Sequence, residues 1–370
     1  MITALIAILA AQRGALGTPL LLKSDKTTER IRREGSFALL AGLVIGCAVL
    51  GVMVTLGSTV GLPAVLLAVS APIVSCQDVL RFVAIAEGRP HVAATWDGVW
   101  FLGTVLLLVS AWLKLSTVPW LIGGWAGFGL IALAGMAADL RMLPRLDGFG
   151  RWARIGWQHR VRYGIDAGLE QATVFLVLAL VAAMLSPTAT AALRGATVLL
   201  APIAILATSL QLIVISESTR NSAQPRTVWF ASLRLMVAIA ALTVVGGVVL
   251  CSLPVSVGAY LLGPSFQPAQ HVLPIVVVEY CATAVAFVLG IFLKTFNRSS
   301  DVMRFKIASM MITLVASTCA ALLFHSASGV AVGLAVGTIL ASSLGLAYYA
   351  PWETRTRASS VDIAVGDFND

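Results

Sequence analysis

Apolar residues in this chain run in long blocks, and the polar residues between them gather into short stretches in which arginine predominates. A window of about 19 residues, matched to a membrane-crossing helix, picks out blocks at 2–22, 36–57, 62–86, 92–114, 118–138, 165–187, 192–216, 229–253, 271–293, 304–324 and 328–350. Each can cross a bilayer as a helix, for which roughly 20 residues suffice. Barrel strands would alternate apolar and polar positions over about ten residues, and no segment here does so. A backbone in lipid must satisfy its own hydrogen bonds. The pattern therefore predicts an all-α fold, a polytopic membrane helical bundle with eleven spans.

Composition agrees: 59% hydrophobic and 11% charged residues, with a mean hydropathy of +0.94, lie outside the balance of soluble domains. The net charge of +8 matters through its placement. Of the 25 Lys and Arg, all but Arg13, Lys114 and Arg194 fall in or beside connections on one side of the bundle. By the positive-inside rule that side is the cytoplasm, which puts the C-terminus inside and the protein in the inner or plasma membrane. Nucleic acid is not the partner this charge serves. An odd number of spans then places residue 1 outside, and the expectation is that the chain begins one span late, through a misassigned start or a truncated gene, and that relatives carry twelve.

The longest connection on the basic side divides the chain into a five-span half (1–138), a basic linker (139–164), a six-span half (165–350) and a tail (351–370). A short internal likeness supports two pseudo-symmetric halves: the spans ending "AIAEGRP" and "LKTFNRS" are each followed by a tight turn and another span, with Arg89 and Arg298 in corresponding places. Within the linker, Phe149, Ala153, Trp157 and Val161 recur at helical spacing opposite Arg151, Arg154, Gln158 and Arg162. That is either a helix lying on the anionic inner leaflet or a linker made basic by topology alone. The five cysteines are scattered one per span with no metal-ligand or redox spacing, so they read as packing residues. No phosphate-binding loop of the G-x-x-x-x-G-K-[ST] form occurs, which excludes ATP drive within the chain. Nothing calls for a cofactor or a metal.

Three stretches carry a resemblance: "QRGALGTPLLL" (12–22), "CQDVLRFVAIAEGRP" (76–90) and "ALRGATVLLAPIAILATSLQLIVISES" (192–218). The chain resembles actinobacterial members of the multidrug/oligosaccharidyl-lipid/polysaccharide (MOP) exporter superfamily, the group that includes O-antigen-type flippases of lipid-linked oligosaccharides. The likeness runs at the level of span order across residues 1–350. It implies two six-helix halves, of which this chain lacks the first helix, and alternating access to a polyprenyl-pyrophosphate-linked saccharide among membrane lipids.

Polar groups inside the spans are the candidate machinery. Arg13 lies near the middle of the first span, where a cation costs about 2.5–3.5 kcal/mol. It must face protein, water or an anionic ligand; its partner is either a pyrophosphate head group or an acid such as Glu170 or Asp78. Gln12 beside it, and Gln211 and Arg194 in the later half, are the other cavity candidates. Asp78 and Arg81, three apart on one helix face, with Gln77 and with Asp97 of the next span, form an expected polar cluster at the cytoplasmic mouth, as a lock on the "EGRP" hairpin or as a gate. Glu170, deeper than Asp166 at the start of its span, is the candidate for proton or sodium coupling. Against the flippase stand a small-molecule exporter of the same superfamily, a degenerate non-transporting subunit, and a membrane-embedded polysaccharide polymerase or ligase. The last is disfavoured because the longest outer loop, 254–270, has no charged side chain.

Overall fold

The structure, a computed structural model, describes residues 2–22, 27–57, 61–221 and 223–350. The tail predicted at 351–370 lies outside them. Among the described residues every regular element is helical. The first apolar block holds α1 (Ile2–Gln12), one wide π turn (Arg13–Gly17) and α2 (Thr18–Leu22). Then follow α3 (Thr28–Gly57), α4 (Leu62–Ala86), α5 (Pro90–Trp112), α6 (Val118–Leu140), the short α7 (Phe149–Arg154) and α8 (Trp157–Met184). The remainder comprises α9 (Pro187–Arg220), α10 (Pro225–Cys251), the short α11 (Val255–Leu262), α12 (Phe266–Thr295), α13 (Ser299–Phe324) and α14 (Ala327–Tyr349). Many of these residues are valine and isoleucine, mediocre helix formers in water, but in lipid a helix satisfies every backbone group.

Among the described residues ten helices are long and apolar enough to cross a membrane, and the first block, Ile6–Leu22 by the same measure, is a shorter apolar helix. Several helices begin ahead of the hydropathy windows: α3 starts at Thr28 rather than 36 and α8 at Trp157 rather than 165. Basic turns there continue the helix beyond its apolar part, which a hydropathy window cannot register. A single helix running through the basic linker, one of the two readings of that segment, does not form. Gly156 takes a left-handed φ of 68°, which breaks the register between α7 and α8, so Phe149 and Val161 do not share one face.

The chain forms two compact units, residues 1–175 with 215–222 and 297–307, and residues 176–214 with 223–296 and 308–370. In the first unit α4 is the central helix, packed against both α3 and α6, and every residue from Val74 to Leu80 is buried. Gly46 lets α3 close on α4, since a Cβ there would run into Pro72. In the second unit α12 packs against α10 and α14. Its Val272, Leu273 and Val276 join Val181, Leu193, Leu200 and Val330 in a buried apolar cluster.

Candidate functional site

The site in the first unit starts from a local backbone irregularity. Pro19 in α2 has no N–H to donate to the preceding turn, and just ahead of it the backbone widens: the Thr18 N–H reaches back five residues to the Arg13 carbonyl. Gly14 lies in the same turn, where a Cβ would run into the carbonyl of Tyr163 on α8. A single π turn inside a helix displaces the side chains around it, and the side chain at its head is Arg13.

Arg13 donates through Nε to Asp78 Oδ2 at 2.5 Å, an ion pair whose guanidinium is 47% exposed and whose carboxylate is 3% exposed. The second oxygen of Asp78 accepts from Arg81 Nη1 at 2.9 Å. Arg81 in turn grips Asp97 with two parallel bonds, Nε to Oδ2 at 2.7 Å and Nη2 to Oδ1 at 2.9 Å. Gln77 Nε2 adds a bond to the same carboxylate at 3.2 Å, and Gln12 Nε2 donates to the Ser75 carbonyl at 2.8 Å. Two arginines and two aspartates thus alternate in a chain of no net charge that ties the π turn to α4 and α4 to α5. Charges in a medium of low polarity are tolerated when paired and hydrogen-bonded in this way. The amide oxygens of Gln12 and Gln77 are buried and find no donor among the described residues.

The hairpin between α4 and α5 has a second clasp. Glu87, 2% exposed, accepts from Arg32 Nε of α3 at 2.9 Å, and on α5 the Trp96 Nε1 donates to Asp139 Oδ2 at 2.8 Å. The polar residues that look misplaced in the apolar run 62–86 bond to one another and across to α5, and one of them, Asp78, also holds Arg13. Of the two acids considered as partners of Arg13, the structure selects Asp78. Glu170 instead accepts from Lys306 Nζ of α13 at 3.0 Å, and on the same helix the Tyr163 hydroxyl donates to Asn297 Oδ1 at 3.1 Å.

What distinguishes Arg13 within the network is its free end. Nε is its one bonded nitrogen among the described residues, so the terminal Nη1 and Nη2 pair has no protein acceptor there. That pair is the fork that matches two oxygens of a phosphate or carboxylate.

The other sequence candidates lie in the second unit. Arg194 on α9 is exposed, within electrostatic reach of the Tyr280 hydroxyl, and Gln211 is buried beside Gly290 of α12. Neither belongs to the Arg13 network. Glu279 is a candidate absent from the sequence-based expectation, although a lone carboxylate in the apolar run "IVVVEYCATAV" carries the same cost that singles out Arg13. It sits in the middle of α12, where Thr283 Oγ1 donates to its Oε1 at 3.1 Å.

Comparison with solved structures defines the class of fold, which is that of the MATE transporters. The chain is similar to a MATE solved in complex with MaD5, at 15% identity and a TM-score of 0.73 over 94% of this chain and 84% of that one. It is similar to an outward-facing multidrug resistance MATE family transporter of the MOP superfamily, at 14% identity and a TM-score of 0.73 over the same shares. A third neighbour, a MOP superfamily transporter from Pyrococcus furiosus described by the reverse polarity of its binding pocket, matches at 15% identity with a TM-score of 0.69, again over 94% and 84%. No family model matches the chain and no curated protein matches it significantly.

Proposed function

We propose that the protein is a membrane transporter working by alternating access, and that its cargo is a lipid-linked saccharide carried on a pyrophosphate. The fold supports the first part: its neighbours are transporters, one of them a multidrug resistance transporter and another described by the reverse polarity of its binding pocket. The observation that carries the second part is Arg13. Its guanidinium is mid-span and half exposed, held from behind by Asp78, and its Nη pair has no protein acceptor among the described residues. A group so placed suits an anionic head group that must be stripped of water as it crosses, because the planar fork binds two phosphate oxygens at once. Glu279 is the residue we assign to ion coupling, since a carboxylate held by the Thr283 hydroxyl can gain or lose a proton or bind sodium without a permanent cation beside it.

The test is transport and abundance measured in the same strains. Arg13→Ala is expected to insert, at an abundance lowered by the loss of one charge-assisted hydrogen bond to Asp78, and to fail to complement a flippase-deficient strain at matched protein level. Arg13→Lys is expected to rescue in part, since an ammonium is a point charge without the fork. A well-expressed Arg13→Ala protein that flips the saccharide normally would overturn the assignment, and loss of drug export with intact flipping would move the cargo to the multidrug class.

A further inference from the structure

The connection between α6 and α8, residues 141–156, combines two features that do not belong together in water. Leu143 and Leu146 are 74% and 78% exposed, and Ile155 and Trp157 are also exposed. Around them stand Arg141, Arg145, Arg151 and Arg154, all exposed and with no side-chain partner among the described residues. Asp147 is the one acid within the segment. Large exposed apolar side chains rimmed by unpaired cations are what an interfacial segment presents to a bilayer, burying the apolar groups at the headgroup boundary while the cations meet lipid phosphates.

The segment is also built rather than slack. Arg160 Nη2 donates to the carbonyls of Trp152, Ala153 and Ile155, which caps the end of α7, and its guanidinium stacks 4.1 Å over the Trp152 ring. Trp152 packs on Phe149 and on Phe37 of α3. Arg33 of α3 approaches the segment at Gly148 and has no side-chain partner among the described residues. The platform thus keeps its leucines outward while its base is fixed to the first unit.

We propose that residues 141–157 form a docking surface for the anionic phospholipid leaflet on the basic side of the membrane. The occupant is chosen by charge and by continuity: the segment carries a surplus of arginine, and both its flanks, α6 and α8, are helices long and apolar enough to span the bilayer. Each arginine near an anionic surface raises local occupancy about fivefold, so four act together strongly, while neutral lipid offers the leucines a place but the arginines no counter-charge.

Hydrogen exchange on the full-length wild-type chain tests this in nanodiscs of phosphatidylcholine alone and of phosphatidylcholine with phosphatidylglycerol. Amides of residues 141–148 are expected to exchange at least about tenfold more slowly with the anionic lipid, while amides of α4 and α12 stay unchanged and report an intact fold. Arg141, Arg145, Arg151 and Arg154 all changed to Gln should abolish the slowing, and Leu143→Gln with Leu146→Gln should reduce it with the arginines in place. Equal exchange in the two lipids would overturn the proposal. So would slowing in neutral nanodiscs on adding inorganic phosphate, which would mark a free-anion site, or slowing only with added cytosolic extract, which would mark a protein partner.

Discussion

Asp78 is the hinge of the polar network, and its removal should cost more than removal of the arginine it anchors. In Arg13→Ala, Asp78 keeps the bond from Arg81 at 2.9 Å, so the loss is that of one charge-assisted hydrogen bond, about 1.5–3 kcal/mol. In Asp78→Ala, Arg81 keeps both bonds to Asp97, but Arg13 loses its one partner among the described residues. Breaking a buried pair from that side costs about 3–5 kcal/mol, and the 47% exposure of Arg13 argues for the lower end. The double variant removes both charges, so it should be less destabilised than the sum of the two, by roughly 1–3 kcal/mol of coupling for groups in direct contact. The assay is reversible unfolding in mixed micelles, followed for the four proteins of the cycle. Costs that add to within about 0.5 kcal/mol, or an Arg13→Ala variant as unstable as Asp78→Ala, would refute the geometry on which the proposed role of Arg13 rests.

Three further outcomes follow from the structure. Gly14→Ala places a methyl against the Tyr163 carbonyl and should lower thermal stability in detergent by about 1–3 kcal/mol, the usual cost of overpacking. Glu279→Gln preserves shape and the hydrogen bond from Thr283 while removing the ionisable group, so membrane abundance should hold while transport in proteoliposomes stops responding to an imposed ion gradient. Gly150, where an added Cβ meets no atom within 4 Å, is a safe place for a single cysteine: Gly150→Cys in a cysteine-free background should resist an impermeant thiol reagent in intact cells and react in inverted vesicles, and labelling in intact cells would reverse the orientation.

The helical class and the order of the spans are legible in the sequence because they depend on one-dimensional quantities. A helix satisfies its backbone locally, so the length of an apolar run decides whether it can cross lipid, and the eleven blocks correspond in order to helices of the structure. The pairing of Asp78 with Arg81 is local as well, being fixed by three-residue spacing on one helix. Gly156 shows where one-dimensional reading stops: the apolar spacing of 149–161 is real, yet one left-handed residue divides it, and periodicity does not record φ. The choice of Asp78 over Glu170 for Arg13 spans 65 residues. It depends on how closely the first block approaches α4, and Gly17, where a Cβ would meet the Phe82 ring, permits that approach. Hydropathy places each charge at a depth along its own helix but says nothing of rotation about the axis or of which neighbour faces it. For that reason the cost of Arg13 could be read from the chain, while its partner, its free Nη pair and the clasp from Arg81 to Asp97 were decided by the tertiary packing of α4.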